Sequence, residues 1–281
     1  MAMKLGISMY SYYAVWKRGE MDIPGFIRES KQLGVDGVEL LDFFFKDRAE
    51  ETPAVKEALE ETGLKVGVYS VSNNFGLPDP EVRKEHVAII ERGVDSAIEY
   101  GARVVRVFAG DRRPDTTFEQ SLSWIIDGLS QAAAYAYDHG ITLALENHGL
   151  LAGRSDQVET ILRAVASPAL KANPDTGNFL LTEEASHDAV EKLATRAAMV
   201  HFKDFQVVAD DYAGQAYTSL RGLKLVGTAI GEGEVALGAC VRSLREAGFD
   251  GWLNIEYEGS EDPMVAVRRS VAAARDVLAR N

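Results

Sequence analysis

A single (β/α)8 barrel, with residues 1–281 forming one domain, is the fold class this sequence predicts, on three observations. A phrase recurs along the chain: an amphipathic run of helical period, a glycine, then a short β-branched run that closes on polar or charged residues. Eight strand candidates alternate with helical segments over 281 residues, a length that suits one large barrel. No linker, low-complexity tract or shift of composition divides the chain. The main alternative, a doubly wound open sheet, would carry a Gly-rich phosphate turn after its first strand. Here that strand runs into SMYSYYAVW, with no G-x-G-x-x-G.

In chain order, KLGISMY at 4–10 supplies the first strand without a preceding helix. A helix over 22–33 leads through Gly34 into the second strand, in KQLGVDGVEL at 31–40. The same passage repeats from 53–62 through Gly63 into EETGLKVGVYSV at 60–71, and from 81–100 through Gly101 into EYGARVVRVFAG at 99–110. It repeats again from 117–138 through Gly140 into DHGITLALENHG at 138–149, and from 235–247 through Gly248 into EAGFDGWLNIEYEG at 246–259. Each glycine sits where a helix needs a left-handed C-terminal cap, and each following run is continuous enough for a parallel strand covered on both faces. Helices over 156–166 and 186–194 precede the sixth and seventh strands, ALKANPDTGN at 169–178 and AAMVHFKDF at 197–205, and a helix over 263–279 closes the set. Residues 206–234 form the longest stretch without a clear element. They fall between the seventh and eighth strands, where a barrel keeps functional loops, and read either as a lid contributing Glu232 or as a long connection.

Charge and composition narrow the partners. With 30 Lys+Arg against 43 Asp+Glu the formal net charge is −13, and no basic run is long enough to attract a phosphate backbone or an anionic lipid surface. Nucleic acid and membrane are therefore not expected as partners. The lone cysteine, Cys240, has no intrachain partner for a disulfide, no N-terminal segment has the pattern of a secretion signal, and no apolar run approaches the roughly 20 residues that span a bilayer. A cytoplasmic location is expected.

In a barrel of this kind the chemistry gathers at the C-terminal ends of the strands. The last four strands all end in capable side chains: Leu145-Glu146-Asn147-His148, Pro174-Asp175-Thr176, Val200-His201-Phe202-Lys203-Asp204 and Ile255-Glu256-Tyr257-Glu258. Because side chains alternate, Glu146 shares a face with His148, His201 with Lys203, and Glu256 with Glu258. Several carboxylates brought together in a partly desolvated mouth repel one another, and a divalent cation removes the conflict. Oxygen ligands with one imidazole suit Mn2+, the favoured ion, with Mg2+, Co2+ or Zn2+ as alternatives.

ALENHG, NPDTGNF, VHFKD, GEGEV and WLNIEYEG, in that order, make the chain similar to the sugar phosphate isomerase/epimerase family, with its xylose isomerase-like TIM barrel. Relatives within it include ketose 3-epimerases, inosose dehydratases, 3-dehydroshikimate dehydratases, hydroxypyruvate isomerases and endonuclease IV. The resemblance implies that Glu146, Asp175, His201 and Glu256 bind one divalent metal ion. In the ketose epimerases two of the ligand glutamates also move protons on opposite faces of the substrate, which implies catalytic roles for Glu146 and Glu256. The ENH form, with His148 two residues after Glu146, looks closer to the dehydratases and implies a catalytic proton shuttle at His148. A neutral imidazole there can take an α-proton and return it to a departing hydroxyl, as β-elimination requires.

Two reactions follow as expectations. The first is isomerisation or 3-epimerisation of a keto-sugar or related polyol through a metal-stabilised enediolate; the second is β-elimination from a keto-cyclitol, a 3-keto-glycoside or a dehydroshikimate-like substrate. Substrate binding is expected from Lys203, Arg106, Glu39 and Asn178, with a Lys203–Asp204 or an Arg106–Glu39 pair as the structural alternatives. Asn178 stands where some epimerases place a substrate-binding histidine. Strict alternation from Asp175 turns Lys171 inward unless Pro174 breaks the register. Tyr10, Tyr12, Tyr13, Trp16, Phe43, Phe44, Phe45 and Phe75 crowd the early loops as a ring-binding wall, a lid or an interface. Arg112, Arg113, Arg221 and Lys224 have no phosphate cradle beside them, so the substrate is expected to be unphosphorylated. His86, His139 and His187 read as surface or capping residues. A three-zinc abasic-site nuclease needs more histidines at strand ends than His148 and His201, and a cationic track. The resemblance implies a homo-oligomer, which no apolar stripe in the sequence marks by itself.

Overall fold

The computed structural model describes residues 3–281. Eight parallel strands form a barrel: β1 (Lys4–Ser8), β2 (Gly37–Leu41), β3 (Lys65–Ser70), β4 (Val104–Phe108), β5 (Thr142–Glu146), β6 (Leu170–Asn173), β7 (Met199–Phe202) and β11 (Trp252–Ile255). They run side by side in the order β6-β5-β4-β3-β2-β1-β11-β7. Single parallel bridges at Ala172–Ala197 and Asp175–His201 join the two ends of that row. Around it lie α2 (Ile23–Leu33), α3 (Arg48–Thr62), α4 (Pro80–Tyr100), α5 (Phe118–Asp138), α6 (Ser155–Val165), α7 (Ser186–Leu193), α8 (Leu237–Glu246) and α9 (Pro263–Arg280), with a short α1 (Tyr13–Lys17) in the first loop. Gly34, Gly63 and Gly101 take φ of +71°, +69° and +75° and cap α2, α3 and α4 as the spacing predicts.

Two expectations are corrected. The helix expected over 53–62 begins five residues earlier, because Asp47 accepts the Ala49 and Glu50 N–H groups while Glu51 accepts those of Lys46 and Asp47. Pro53 then lies inside α3 and costs it one backbone bond. Residues 206–234 are not a bare loop: β8 (Asp204–Val208), β9 (Tyr217–Thr218) and β10 (Lys224–Thr228) form an antiparallel sheet in the order β8-β10-β9. Its pattern is weak in sequence because β9 is two residues long and exposed. Glu232 pairs with Arg269 on the surface and not with the barrel mouth.

The barrel interior follows one rule on most strands: a small or apolar residue near the N-terminal end, then a polar one two positions on, facing the same way. Gly37 precedes Glu39, Val68 precedes Ser70, Val104 precedes Arg106, Ala144 precedes Glu146, Met199 precedes His201 and Trp252 precedes Asn254. Val68, Ala144, Met199 and Trp252 pack together as an apolar floor. Above it Glu39, Ser70, Arg106, Asn173, His201 and Asn254 form a buried polar layer. Trp252 needs the room left by Gly37 and Gly67: a Cβ on Gly67 would lie 2.3 Å from the indole.

Candidate metal centre

Glu146 ends β5, Asp175 follows β6 across Pro174, His201 lies in β7, and Glu256 follows β11 by one residue. Each offers one ligand atom, and these four atoms lie within 4.8 Å of one another, all on buried residues. The structure therefore brings together the four side chains expected to share a cation.

His201 is aimed by its far nitrogen. Its Nε2 lies 3.1 and 3.0 Å from the two oxygens of Glu39, a fully buried carboxylate that also accepts from Ser70 Oγ at 2.6 Å and Asn254 Nδ2 at 2.9 Å. An ionised carboxylate can only accept, so Nε2 carries a proton, and it is Nδ1 that faces the cluster and offers its lone pair to a cation that displaces the proton there. Nδ1 stands 3.3 Å from Glu146, 3.5 Å from Glu256 and 3.8 Å from Asp175. His201 Nδ1 and Asp175 Oδ2 are buried without a hydrogen bond of good geometry. With Glu146 and Glu256 they make a buried set of oxygen and imidazole ligand atoms whose chemistry fits a divalent cation.

The remaining ligand atoms are held with equal care. Glu146 receives Asn173 Nδ2 and Asn178 Nδ2 at 3.2 Å each, and Arg106 Nε stands 3.3 Å away. Asp175 Oδ1 caps the following turn by accepting the Gly177 and Asn178 N–H groups at 2.9 Å. Asn147 binds the Asp175 backbone in both directions, accepting its N–H at 2.7 Å and donating to its carbonyl at 3.1 Å. Lys203 is 1% exposed, and its ammonium lies 2.6 Å from Glu256, 2.9 Å from Glu258 and 3.0 Å from Asp175.

Electrostatics follow from this crowding. Burial alone would lower the His201 pKa, but the carboxylates of Glu256, Glu39 and Glu146 outweigh it and hold the imidazole well above its usual value. Burial likewise opposes the charge on Lys203, and Asp175, Glu256 and Glu258 reverse the effect. Burial, reinforced by Glu146 and Glu256, pushes Asp175 up to about 7 against the pull of Lys203 and His201. Burial would also raise Glu146 and Glu39, yet His201 and Arg106 bring both below the ordinary carboxylate value.

The outer candidates separate. Glu39, expected as a polar wall for substrate, lies behind His201 with no exposed surface. Arg106 pairs with Glu146 and not with Glu39, donates to the Val71 carbonyl at 2.9 Å and lies over the Phe108 ring. Asn178 spans Glu146 and Lys203. Lys203 does not pair with Asp204, whose carboxylate instead accepts the N–H groups of Gly231, Gly233 and Val235. His148 is half-buried with its ring 4.2 Å from that of Phe108, and it forms no hydrogen bond to protein among the described residues. Lys171 shares the inward parity of Asn173 and Asp175 but sits at the far end of β6, where it is exposed. Arg113 pairs with Asp115 and Arg221 with Glu183, while His187 sits beside Asp188.

Sequence reasoning passed over Asn147, Asn173, Asn254, Ser70 and Tyr217. Alternation could have found Asn173 and Asn254, which stand two positions before Asp175 and Glu256 on the same face. Tyr217, whose hydroxyl donates to Glu258 at 2.6 Å, is set by the antiparallel sheet and leaves no local signal.

Residues 27–278 match the family described as xylose isomerase-like TIM barrel. Over 269 residues the chain is 23% identical to an inosose dehydratase of Geobacillus thermodenitrificans, covering 88% of this chain and 85% of that one. The structure superposes on the 3-keto-D-glucoside 4-epimerase of E. coli with a TM-score of 0.74 and 21% identity, covering 98% and 99% of the two chains. It superposes on a xylose isomerase-like barrel of Mycobacterium smegmatis in complex with magnesium with a TM-score of 0.71 and 18% identity, over 98% and 96%.

Proposed function

The chain belongs to the xylose isomerase-like TIM barrel family, and from that premise we propose a divalent-metal-dependent enzyme that removes the proton beside the carbonyl of a keto-sugar or keto-cyclitol. The observation that carries this reading is the convergence of Glu146, Asp175, His201 and Glu256, with His201 locked by Glu39. A cation held there, Mn2+ first in preference and then Mg2+, Co2+ or Zn2+, supplies Lewis acidity toward the carbonyl and an adjacent hydroxyl. Arg106, Asn173 and Asn178 hold Glu146 as a ligand, and Lys203 holds Glu256. With Lys203 and Asn178 at the inner wall, the chain's part is to orient the substrate and carry its proton.

The choice between the two reactions turns on who carries that proton. In the two-glutamate scheme for isomerisation or 3-epimerisation, Glu146 takes a proton while it also serves as a ligand, and His201 and Arg106 hold it below the ordinary carboxylate value, which makes it a weak base. His148 sits two residues on, packed on Phe108 and without a hydrogen bond to protein among the described residues, and this favours β-elimination. An imidazole nitrogen takes the α-proton, the C–H pair becomes the new double bond, the C–O bond at the β-carbon breaks, and the proton goes to the departing oxygen. The likeness to an inosose dehydratase over most of the chain supports the same order. We therefore rank elimination above epimerisation, reversing the order expected from the sequence.

Proton NMR in D2O tests both. The Mn2+-loaded protein is incubated with ketohexoses, keto-inositols and 3-keto-glycosides beside an EDTA-treated control, and spectra are recorded after the protein is removed. A conjugated enone is the expected product, and His148→Asn should keep the metal while lowering turnover by about 10²–10⁴-fold. Deuterium at the α-carbon with an epimer or aldose, and no loss of turnover in His148→Asn, would restore epimerisation. Finding neither an enone nor exchange with any substrate would remove the proposal.

A further inference from the structure

A cleft of about 590 Å3, the size of a small-molecule site, opens beside the cluster without touching any of its four ligands. Its inner end is Glu258, which joins it to the centre: one oxygen takes Lys203 Nζ at 2.9 Å and the other takes the Tyr217 hydroxyl at 2.6 Å. One wall is the pair Tyr10 and Tyr13, their rings 5.5 Å apart and 15° from parallel. Tyr217, in β9, and Gln215, two residues before it, also line the cleft. A substrate reacting at the cluster that carries a substituent on the Glu258 side has this cleft to fill.

The lining selects the substituent. Flat phenol rings suit the apolar C–H face of a pyranose, while Glu258, Gln215 and Ser260 suit its hydroxyls. An anion is not favoured: Glu258 repels it, Arg18 is bound to Glu20 at 2.7 Å, and Lys17 lies over the Tyr13 ring. We propose that this cleft is an outer subsite for the second, uncharged ring of a glycoside, so that the substrate is a keto-glycoside and not a free monosaccharide. The inference rests on the reading of the cluster as a carbohydrate-processing centre.

Binding separates the two. The Mg2+-loaded protein is titrated with unreactive α- and β-linked disaccharides and with the matching methyl glucosides, by calorimetry and by saturation-transfer NMR. At least one disaccharide should bind about tenfold more tightly than its methyl glucoside, with both rings receiving saturation. Tyr13→Ala and Gln215→Ala should each remove most of that gain; Gln215 is exposed, so its variant folds even if loss of Tyr13 disturbs the aromatic loop. Equal affinities across the panel, or a gain that survives both substitutions, overturns the subsite. A disaccharide advantage, with neither an enone nor α-carbon exchange from any keto-substrate in the D2O assay, keeps the subsite and removes the proposed chemistry.

Discussion

The contact between His201 Nε2 and Glu39 turns Nδ1 of the same ring toward the other three side chains of the candidate centre. It fixes the tautomer and the ring plane, and Ser70 and Asn254 hold Glu39 in turn. Glu39→Gln keeps the shape but allows the amide to present either end. It should weaken Mn2+ binding by about 10–100-fold, measured by competition with a chelator. The protons held on His201 and Asp175 set a second outcome at this scale. Their pKa values are raised, so below those values a bound cation must displace protons from its own ligands. Apparent metal affinity should therefore rise with pH between 6 and 8, by up to about tenfold per unit for each proton released. A flat profile in calorimetry would show that both groups have already lost their protons before the cation binds. The four side chains were legible as candidate ligands because each lies at or just past the C-terminal end of a strand. Glu39 was legible as a polar wall residue but not in its direction, which depends on β2 being separated from β7 by two strands, β1 and β11.

Among the elements, the turn at 231–235 shows how a short motif is held. Asp204, 1% exposed at the start of β8, accepts three backbone N–H groups from GEGEV, and Gly233 is obligatory because a Cβ there would lie 2.2 Å from the Asp204 carboxylate. Asp204→Ala leaves those donors without their acceptor and should cost about 2–3 kcal/mol in urea unfolding. If the loss is below about 0.5 kcal/mol, solvent replaces the carboxylate and the turn does not depend on it. GEGEV and VHFKD were both visible in sequence, but their contact was not, since 26 residues, 205–230, separate Asp204 from Gly231. The start of α3 failed for a local reason: Pro53 looks like a first-turn residue, while the box of Asp47 and Glu51 begins the helix one turn and more before it.

Across the whole molecule, the barrel is graded from an apolar floor at Trp252 to a charged mouth. Five carboxylates, Glu39, Glu146, Asp175, Glu256 and Glu258, meet two fixed cations there, Arg106 and Lys203. The unbalanced negative charge is a cost to folding that a bound divalent ion offsets. Saturating Mn2+ should raise the unfolding free energy relative to the EDTA-treated protein by about 2.7 kcal/mol at 100 times the dissociation constant, seen as a higher melting temperature. No change would mean that the cluster does not bind the ion in the native state.

What the sequence determined by itself is periodic or local: the alternation of helix and strand, the glycine caps, and the acidic and imidazole ends of the last four strands. Each depends on residues a few positions apart, so composition and spacing carry it. Only the tertiary structure decided which carboxylate aims His201, that Arg106 and Asn178 hold Glu146, that Lys203 ties Glu256 to Glu258, and that a strand with no signal of its own brings Tyr217 to Glu258. Those contacts form between strands far apart in sequence. They depend on barrel closure and on the direction of each buried side chain, and neither is encoded in any single stretch of chain.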